Sequence, residues 1–237
     1  MQYSNNSTII NHCNIIMINN RIICTEIDEF TAKSSILNKN LFTIIIDLDD
    51  TLVHVSNVDK MIKYINGDED LQLITHTFMS IRPYTNHLFK VIKKLNCNCI
   101  IWSAGQEFYV NKMCSLLDPF NKYIDGIIAY GSWFEKYNGK NTALLGFNNE
   151  KTLLIENTVK CIQYQQESSI IVPDWTGKNK ENDKICYKLG IIIEKLIKSG
   201  KNVPDYLISE NELDIKQEYV NISKNQFDYT YILYYHL

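Results

Sequence analysis

Two aspartates and a threonine, Asp47, Asp49 and Thr51, directly follow the β-branched run at residues 42–46. Such a run is typical of a central parallel strand, and open α/β sheets carry their active sites beyond the carboxyl ends of these strands. If the backbone turns there, the two carboxylates converge on one point, and like charges that close together require a cation. Mg²⁺ is the natural candidate, because it prefers oxygen ligands and is usually held by one or two carboxylates and a substrate phosphate.

Polar residues also end two later predicted strands. Ser103 follows one, and Glu156 and Asn157 follow the other, with Lys140 in the loop before it. A parallel sheet brings these strand ends to the same edge. The set supplies a nucleophilic carboxylate, cations that neutralise phosphoryl oxygens, and a second carboxylate that exchanges protons with the leaving group and with water. These groups are suited to phosphoryl transfer through an aspartyl-phosphate.

The elements that must position these groups alternate along the chain. Apolar runs predict strands at 42–47, 99–102, 124–129, 152–155 and 170–172, and helical spacing predicts helices at 84–95, about 108–117 and 181–199. This alternation indicates an α/β fold with a mostly parallel, Rossmann-like sheet and helices on both faces. We expect an N-terminal arm at 1–40, one catalytic domain at 41–200, and a C-terminal extension at 201–237 that packs on the domain. That extension is predicted to form a helix at about 209–218 and an aromatic strand at 229–235.

Composition narrows the partners and the compartment. A formal charge of −3 and a pI near 6.0 give no footprint for general nucleic-acid binding and no polybasic membrane anchor. No apolar run approaches the length of a membrane span, and the first residues do not resemble a signal peptide. Seven cysteines, mostly in apolar surroundings, indicate reduced thiols. We therefore expect a soluble intracellular protein, cytoplasmic or nuclear.

The ordered motifs resemble the haloacid dehalogenase superfamily, and within it the phosphatases that act on the C-terminal tail of RNA polymerase II. Residues 47–54 read Asp-Leu-Asp-Asp-Thr-Leu-Val-His, where that branch usually has Asp-Leu-Asp-Glu-Thr-Leu-Val-His. The other matching segments are Arg82-Pro83, Ser103-Ala104, residues 116–119, Lys140, Glu156-Asn157 and residues 172–175. The resemblance covers about residues 41 to 198 and implies a HAD-like fold with a minimal cap insertion.

The resemblance also implies roles for individual residues. Asp47 would be the nucleophile and a Mg²⁺ ligand, and Asp49 would be the general acid/base that also offers its backbone carbonyl to the metal. The remaining roles are phosphoryl binding by Thr51 and Ser103, stabilisation of the phosphorylated aspartate by Lys140, and completion of the metal site by Asn157 with Glu156 beside it. Lys136 is the fallback for Lys140. Arg82 is either a substrate ligand or an anchor for loop carbonyls.

Two departures from the family pattern bear on activity. The family normally has aspartate where this chain has Glu156, and the extra methylene could displace a contact that supports the site. The segment 127–134 lacks the family's Arg-Glu-Ser-Cys run and its substrate-facing arginine. These departures motivate the alternative of a catalytically silent binding module, like the import-receptor relatives of this family. A nucleic-acid 3′-end or nucleotide phosphatase is a third hypothesis, which the acidic pI disfavours.

Access to the predicted site favours a protein substrate. Only about 30 residues separate the first motif from Arg82, too few for a large cap domain that would enclose a small metabolite. An open site suits a phosphorylated protein segment. Tyr64, Phe78, Trp133 and Phe134 are candidates for an aromatic groove that receives such a segment.

Overall fold

An eight-stranded sheet runs through the computed structural model, which describes residues 21–57, 77–221 and 229–237. Its strands are β1 Ile22–Cys24, β2 Thr43–Ile46, β5 Asn98–Trp102, β6 Gly126–Ile128, β7 Thr152–Glu156, β8 Ser169–Ile171, β9 Asp214–Asn221 and β10 Tyr229–His236. A separate antiparallel hairpin is formed by β3 Val53–Asn57 and β4 Thr77–Ile81. The sheet order is β1-β6-β5-β2-β7-β8-β10-β9, and only the β9–β10 pairing is antiparallel.

Helices cover both faces of the sheet. They are α1 Ile27–Lys33, α2 Thr85–Lys94, α3 Glu107–Leu117, α4 Ser132–Tyr137, α5 Ile185–Ser199 and α6 Val203–Leu207. Side chains alternate along β2, so that Ile44 and Ile46 pack in the core with α2, α3 and α5, whereas Ile45 packs on the opposite face with Phe30 of α1 and Trp133 of α4. All four residues of β2 are buried, as expected of a parallel strand covered on both sides.

The connections place a crevice at the carboxyl end of β2. From β2 the chain proceeds to β5 and β6 on one side, then returns to β7 and β8 on the other. Ligands bind at such a reversal in open α/β sheets, because the loops beyond the neighbouring strands diverge there. The strand ends that carry Asp47, Ser103 and Glu156 are those of β2, β5 and β7, which are adjacent in the sheet.

The predicted α/β fold class is confirmed, and each predicted strand and helix of residues 41–200 has a counterpart. The helix predicted at about 209–218 is wrong: residues 214–221 form β9, which pairs with β10 over all eight residues. The aromatic strand predicted at 229–235 is present as β10. Helix α5 begins at Ile185, four residues later than predicted, and ends at Ser199, where Gly200 caps it in the left-handed conformation, φ 68°.

The described part of the predicted N-terminal arm adds a strand to the main sheet. β1 pairs in parallel with β6, and Arg21 beside it makes a buried ion pair with Asp118 at 2.7 Å. At the opposite edge, β10 pairs with β8 and so attaches the C-terminal hairpin. No helix among the described residues is long and apolar enough to cross a membrane.

Candidate active site

A tight turn after β2 presents the acidic motif. The backbone N–H of Asp47 continues the sheet by donating to the Ile155 carbonyl at 2.9 Å. Asp50 then adopts the left-handed conformation, φ 55°, and its N–H donates to the carbonyl of Val53 at 2.7 Å. The chain thereby reverses directly into the β3–β4 hairpin. This is the turn that the sequence required for Asp47 and Asp49 to approach each other.

Lys140 is the centre of a buried ion cluster. Its Nζ donates to Asp47 Oδ1 at 2.6 Å and to Glu156 Oε2 at 2.5 Å, and the side chain is only 2% exposed. Burial disfavours the ammonium form, but the Asp47 and Glu156 carboxylates outweigh burial, so the pKa of Lys140 lies above its usual range. The structure therefore brings Lys140, and not the exposed Lys136, against the predicted nucleophile.

The backbone around Lys140 is fixed on both sides. Its N–H donates to the Cys161 carbonyl at 2.9 Å, and its carbonyl accepts from Gln165 Nε2 at 2.6 Å. Gln165 itself is buried, and its Oε1 accepts from the N–H of Thr142. These bonds fix the backbone of the loop between α4 and β7 from which the Lys140 side chain extends to Asp47 and Glu156.

Glu156 supports Lys140 and the adjoining loop. Its Oε1 accepts from the backbone N–H groups of Asn157 at 3.1 Å and Thr158 at 3.2 Å, while Oε2 binds Lys140. Burial, together with the Asp47 carboxylate, raises the pKa of Glu156 to about 7. Both carboxylate oxygens of Glu156 are therefore engaged, one with Lys140 and the other with the backbone of the following loop. The longer side chain thus makes a direct contact with Lys140, and its place among the metal ligands stays a prediction.

Asp49 is held by two hydroxyl groups. Ser103 Oγ donates to Asp49 Oδ2 at 3.1 Å, and the Tyr109 hydroxyl donates to Oδ1. Ser103 Oγ in turn accepts from the Gly105 N–H at 2.9 Å, which fixes the hydroxyl at the end of β5. Burial and the nearby Asp47 charge raise the pKa of Asp49 despite the two hydrogen bonds. A carboxyl group with a raised pKa is suited to proton transfer near neutral pH.

Tyr109 is a site residue that sequence reasoning missed. It is the third residue of α3, and the apolar positions of that helix drew attention to its neighbours instead. Burial and the hydrogen bond to Asp49 raise the pKa of Tyr109, so its hydroxyl keeps its proton and acts as a donor. The available signal was its position in the first turn of a helix that follows a strand-end serine, since that turn faces the active-site edge of the sheet.

Thr51 and Asn157 complete the rim of the site. The Thr51 hydroxyl is buried and has no hydrogen-bond partner among the described residues, which leaves it available to a ligand oxygen. Asn157 Nδ2 donates to Asp174 Oδ1 at 3.0 Å. Asp174 was not among the predicted site residues.

The donor set fits Mg²⁺. Within the described residues, Asp47 accepts from Lys140 through Oδ1 and accepts no hydrogen bond through Oδ2. The Asp47 carboxylate, the backbone carbonyl of Asp49 and the side-chain oxygen of Asn157 are hard ligands of the type that Mg²⁺ takes together with water and phosphate. No group of three or more His, Cys, Asp or Glu side chains that could hold a metal occurs in residues 21–57, 77–221 and 229–237. The predicted ligands also include an amide, that of Asn157, and a backbone carbonyl, that of Asp49, which are not among the side chains of such a group.

Arg82 lies in an anchoring position. It is 1% exposed, its Nε donates to Asp183 Oδ2 at 3.0 Å, and its Nη1 donates to the Thr51 carbonyl at 3.1 Å. The guanidinium also lies over the Trp175 ring, 5.9 Å from its centroid. Of the two interpretations left open by the sequence, this geometry favours the anchor, because these contacts tie the motif turn to the loop before α5.

The predicted aromatic groove is not assembled as expected. Trp133 is 2% exposed, its indole N–H donates to the Ala129 carbonyl at 2.7 Å, and it packs edge-on against Trp102 in the core. The prediction that Trp133 lines a groove is therefore wrong, because this side of α4 faces the sheet and the Trp133 ring is buried in the core. Tyr64 and the side chain of Phe78 lie outside the described residues.

The fold and the site define a protein of the haloacid dehalogenase type, and comparison with known families assigns the branch. The family of NLI interacting factor-like phosphatases matches residues 42–204. The chain belongs to this family, which confirms the resemblance to phosphatases of the RNA polymerase II tail.

Two curated relatives bear names from the same branch. The chain is similar to CTD small phosphatase-like protein 3 of Caenorhabditis elegans, with 26% identity over 174 residues, covering 70% of this chain and 58% of the relative. It is also similar to CTD small phosphatase-like protein 2 of Dictyostelium discoideum, with 26% identity, 65% of this chain and 27% of the relative. The structure of Fcp1, an essential RNA polymerase II CTD phosphatase, aligns with a TM-score of 0.43 at 13% identity, covering 73% of this chain and 55% of that chain. The chain thus spans less than two thirds of these relatives.

Proposed function

We propose that this chain is a Mg²⁺-dependent phosphatase that hydrolyses phosphoserine or phosphothreonine in proteins through a phosphoaspartate on Asp47. The observation that carries the proposal is the ion cluster at the end of β2, where Lys140 is buried against both Asp47 and Glu156. Burying three ionisable groups opposes folding unless they are well paired. Such a cluster beside a crevice, next to a hydroxyl-bound carboxylate at Asp49, is typical of an active site.

In the first half-reaction, Asp47 attacks phosphorus. Oδ2, the oxygen not bound to Lys140, forms a bond to phosphorus as the bond to the serine or threonine oxygen breaks. Asp49, in its protonated form, transfers its proton to that leaving oxygen. Thr51 and Ser103 donate their hydroxyl hydrogens to phosphoryl oxygens, and Lys140 compensates the negative charge that remains on the phosphorylated aspartate.

In the second half-reaction, water releases the phosphate. Asp49, now ionised, accepts a proton from a water molecule whose oxygen attacks phosphorus, and the bond between phosphorus and Asp47 Oδ2 breaks. Both carboxylates return to their starting states. When the Ser103 hydroxyl donates to a phosphoryl oxygen instead of to Asp49, the Tyr109 hydroxyl still donates to Asp49. The acid/base group therefore keeps one fixed hydrogen bond throughout.

The metal would be held by Asp47, the Asp49 carbonyl and Asn157. When bound, Mg²⁺ neutralises charge on the phosphoryl oxygens. The hydrogen bond from Asn157 to Asp174 orients the Asn157 amide, and Glu156 accepts a hydrogen bond from Lys140.

A phosphorylated protein segment is the proposed substrate class. The described hairpin β3–β4 and the short connection to Arg82 leave no room for a large cap, so the site accepts an extended chain. The curated relatives named above are described as CTD small phosphatase-like proteins, which supports a protein substrate for this chain as well.

The test is hydrolysis of para-nitrophenyl phosphate with and without Mg²⁺, followed by phosphoserine peptides. We expect Mg²⁺-dependent turnover that is lost in Asp47→Asn and kept in Asp28→Asn, a matched carboxylate-to-amide change on the exposed part of α1. Urea unfolding serves as the folding control, and both variants should show a cooperative unfolding transition like that of the wild type. A folded wild-type protein that releases no phosphate from any of these substrates would refute the enzyme proposal. Phosphopeptide binding without turnover would favour the silent binding module instead.

A further inference from the structure

Two clefts flank the proposed site and meet at Asp174. The first, which we call the lysine cleft, has a volume of about 430 Å³ and is lined on one side by Lys178, Lys184 and Lys188. The second, which we call the acidic cleft, has a volume of about 660 Å³ and includes Asn157 together with the Glu218 end of β9. Because Asp174 binds the Asn157 amide, both clefts open directly beside the predicted metal site.

The lysine cleft carries an excess of positive charge, because its described lining includes Arg82 and three lysines but only two carboxylates, Asp174 and Asp183. No ion pair joins Lys178, Lys184 or Lys188 to a carboxylate in the described part of the chain, and all three side chains are exposed. Asp183, which also lines the cleft, is already paired with Arg82. The whole chain has a formal charge of −3, so this local excess of cations is not a consequence of a basic composition.

The acidic cleft has the opposite charge. Asp50, Asp174 and Glu218 line it, and Lys160 is the one cation among the lining residues that the structure describes. An anionic segment is repelled from this side and attracted to the other, so the two clefts discriminate between the two flanks of an extended chain.

We propose that the lysine cleft receives aspartate or glutamate residues on one side of the phosphorylated residue in a protein substrate. The inference rests on the proposed function, because the phosphoryl group must occupy the Asp47 site for the flank to reach the cleft. An exposed ion pair stabilises a complex only slightly, but three lysines around one cleft act together and are screened by salt. The preference for an acidic over a neutral peptide, measured as the ratio of their kcat/KM values, should therefore be several-fold and should decrease strongly with ionic strength.

The experiment compares three phosphoserine peptides that differ only in their flanks: an acidic run before the phosphoserine, the same run after it, and neutral flanks on both sides. We expect one acidic arrangement to be hydrolysed with a kcat/KM about threefold to tenfold above the neutral peptide at low salt, and less at high salt. Lys184→Gln combined with Lys188→Gln should remove most of this preference while leaving hydrolysis of para-nitrophenyl phosphate unchanged. The matched control is Lys198→Gln combined with Lys201→Gln, which removes the same charge about 20 Å away, in the last turn of α5 and just after it.

The outcomes separate this inference from the proposed function. If para-nitrophenyl phosphate and the peptides are hydrolysed but the flanks make no difference, or if the control pair reduces the preference equally, the cleft assignment is wrong and the phosphatase stands. If nothing is hydrolysed, the phosphatase proposal fails, and fluorescence anisotropy of the same labelled peptides decides on the cleft. Tighter binding of one acidic peptide that is lost with Lys184 and Lys188 supports it, and equal affinities overturn it.

Discussion

Replacing Lys140 with methionine should lower the free energy of unfolding by about 3–5 kcal/mol, because it leaves two carboxylates buried without their shared cation. The geometry sets this range: Nζ lies 2.6 Å from Asp47 and 2.5 Å from Glu156, and the lysine is 2% exposed. Methionine has a similar length and no charge, so little of the expected loss comes from a cavity.

A second substitution tests the electrostatic reason. Glu156→Gln keeps an oxygen for the N–H groups of Asn157 and Thr158 and removes one of the buried charges. The double variant Lys140→Met/Glu156→Gln should therefore recover roughly half of the loss, about 1.5–2.5 kcal/mol relative to Lys140→Met. Lys93→Met is the control, since Lys93 is 51% exposed and its contact with Asp125 spans 3.3 Å, which predicts a loss below about 1 kcal/mol.

The assay is urea unfolding in metal-free buffer, followed by tryptophan fluorescence. The m-values of the variants should match that of the wild type, so that differences in midpoint report stability. A loss below about 1 kcal/mol for Lys140→Met, or a double variant that is less stable than the single one, would show that the cluster is not the buried charge network described above.

Three further predictions concern other contacts. Tyr109→Phe should lower kcat for a phosphoserine peptide about tenfold or more, because it removes a hydrogen bond to the proposed acid/base Asp49. It should lower kcat for para-nitrophenyl phosphate less, because nitrophenolate leaves without a proton. Equal losses for the two substrates would contradict this role. Burial opposes the ionised form of Asp118, but hydrogen bonds from three backbone N–H groups and an arginine outweigh it, so the pKa of Asp118 is lowered. The ionised carboxylate therefore stabilises the fold above the ordinary carboxyl pKa of about 4, and this stabilisation is lost as pH falls through the lower pKa of the folded state. Asp118→Asn should flatten the acid limb of a curve of stability against pH, and an unchanged limb would contradict the assignment. Gly131→Ala should lower the free energy of unfolding in urea by at least about 1–3 kcal/mol, because the added methyl carbon would lie 1.7 Å from the carbonyl oxygen of Thr25. The control, Gly190→Ala, makes only ordinary contacts at 3.6 Å and should leave stability unchanged or raise it.

The tail shows where local patterns fail. Residues 214–221 read Asp-Ile-Lys-Gln-Glu-Tyr-Val-Asn, and the Lys-Gln-Glu run favours a helix by intrinsic preference. In the structure these residues pair with β10 over eight positions, and Ile215 and Tyr219 remain 56% and 70% exposed. Pairing with a distant strand overrides a weak local preference, and no short window of sequence contains that partner.

The sequence by itself determined the central strands, their parallel arrangement and the convergence of the strand ends that carry Asp47, Ser103 and Glu156. It could do so because β-branched runs and strand-end polar residues are local features, and a parallel sheet has one active-site edge.

Only the tertiary structure decided what each side chain contacts there. It placed Glu156 against Lys140, turned Arg82 into an anchor, packed Trp133 in the core, and brought Tyr109 to Asp49. Hydrogen-bond partners depend on distances of a few tenths of an ångström between residues far apart in sequence, and spacing along the chain does not specify them.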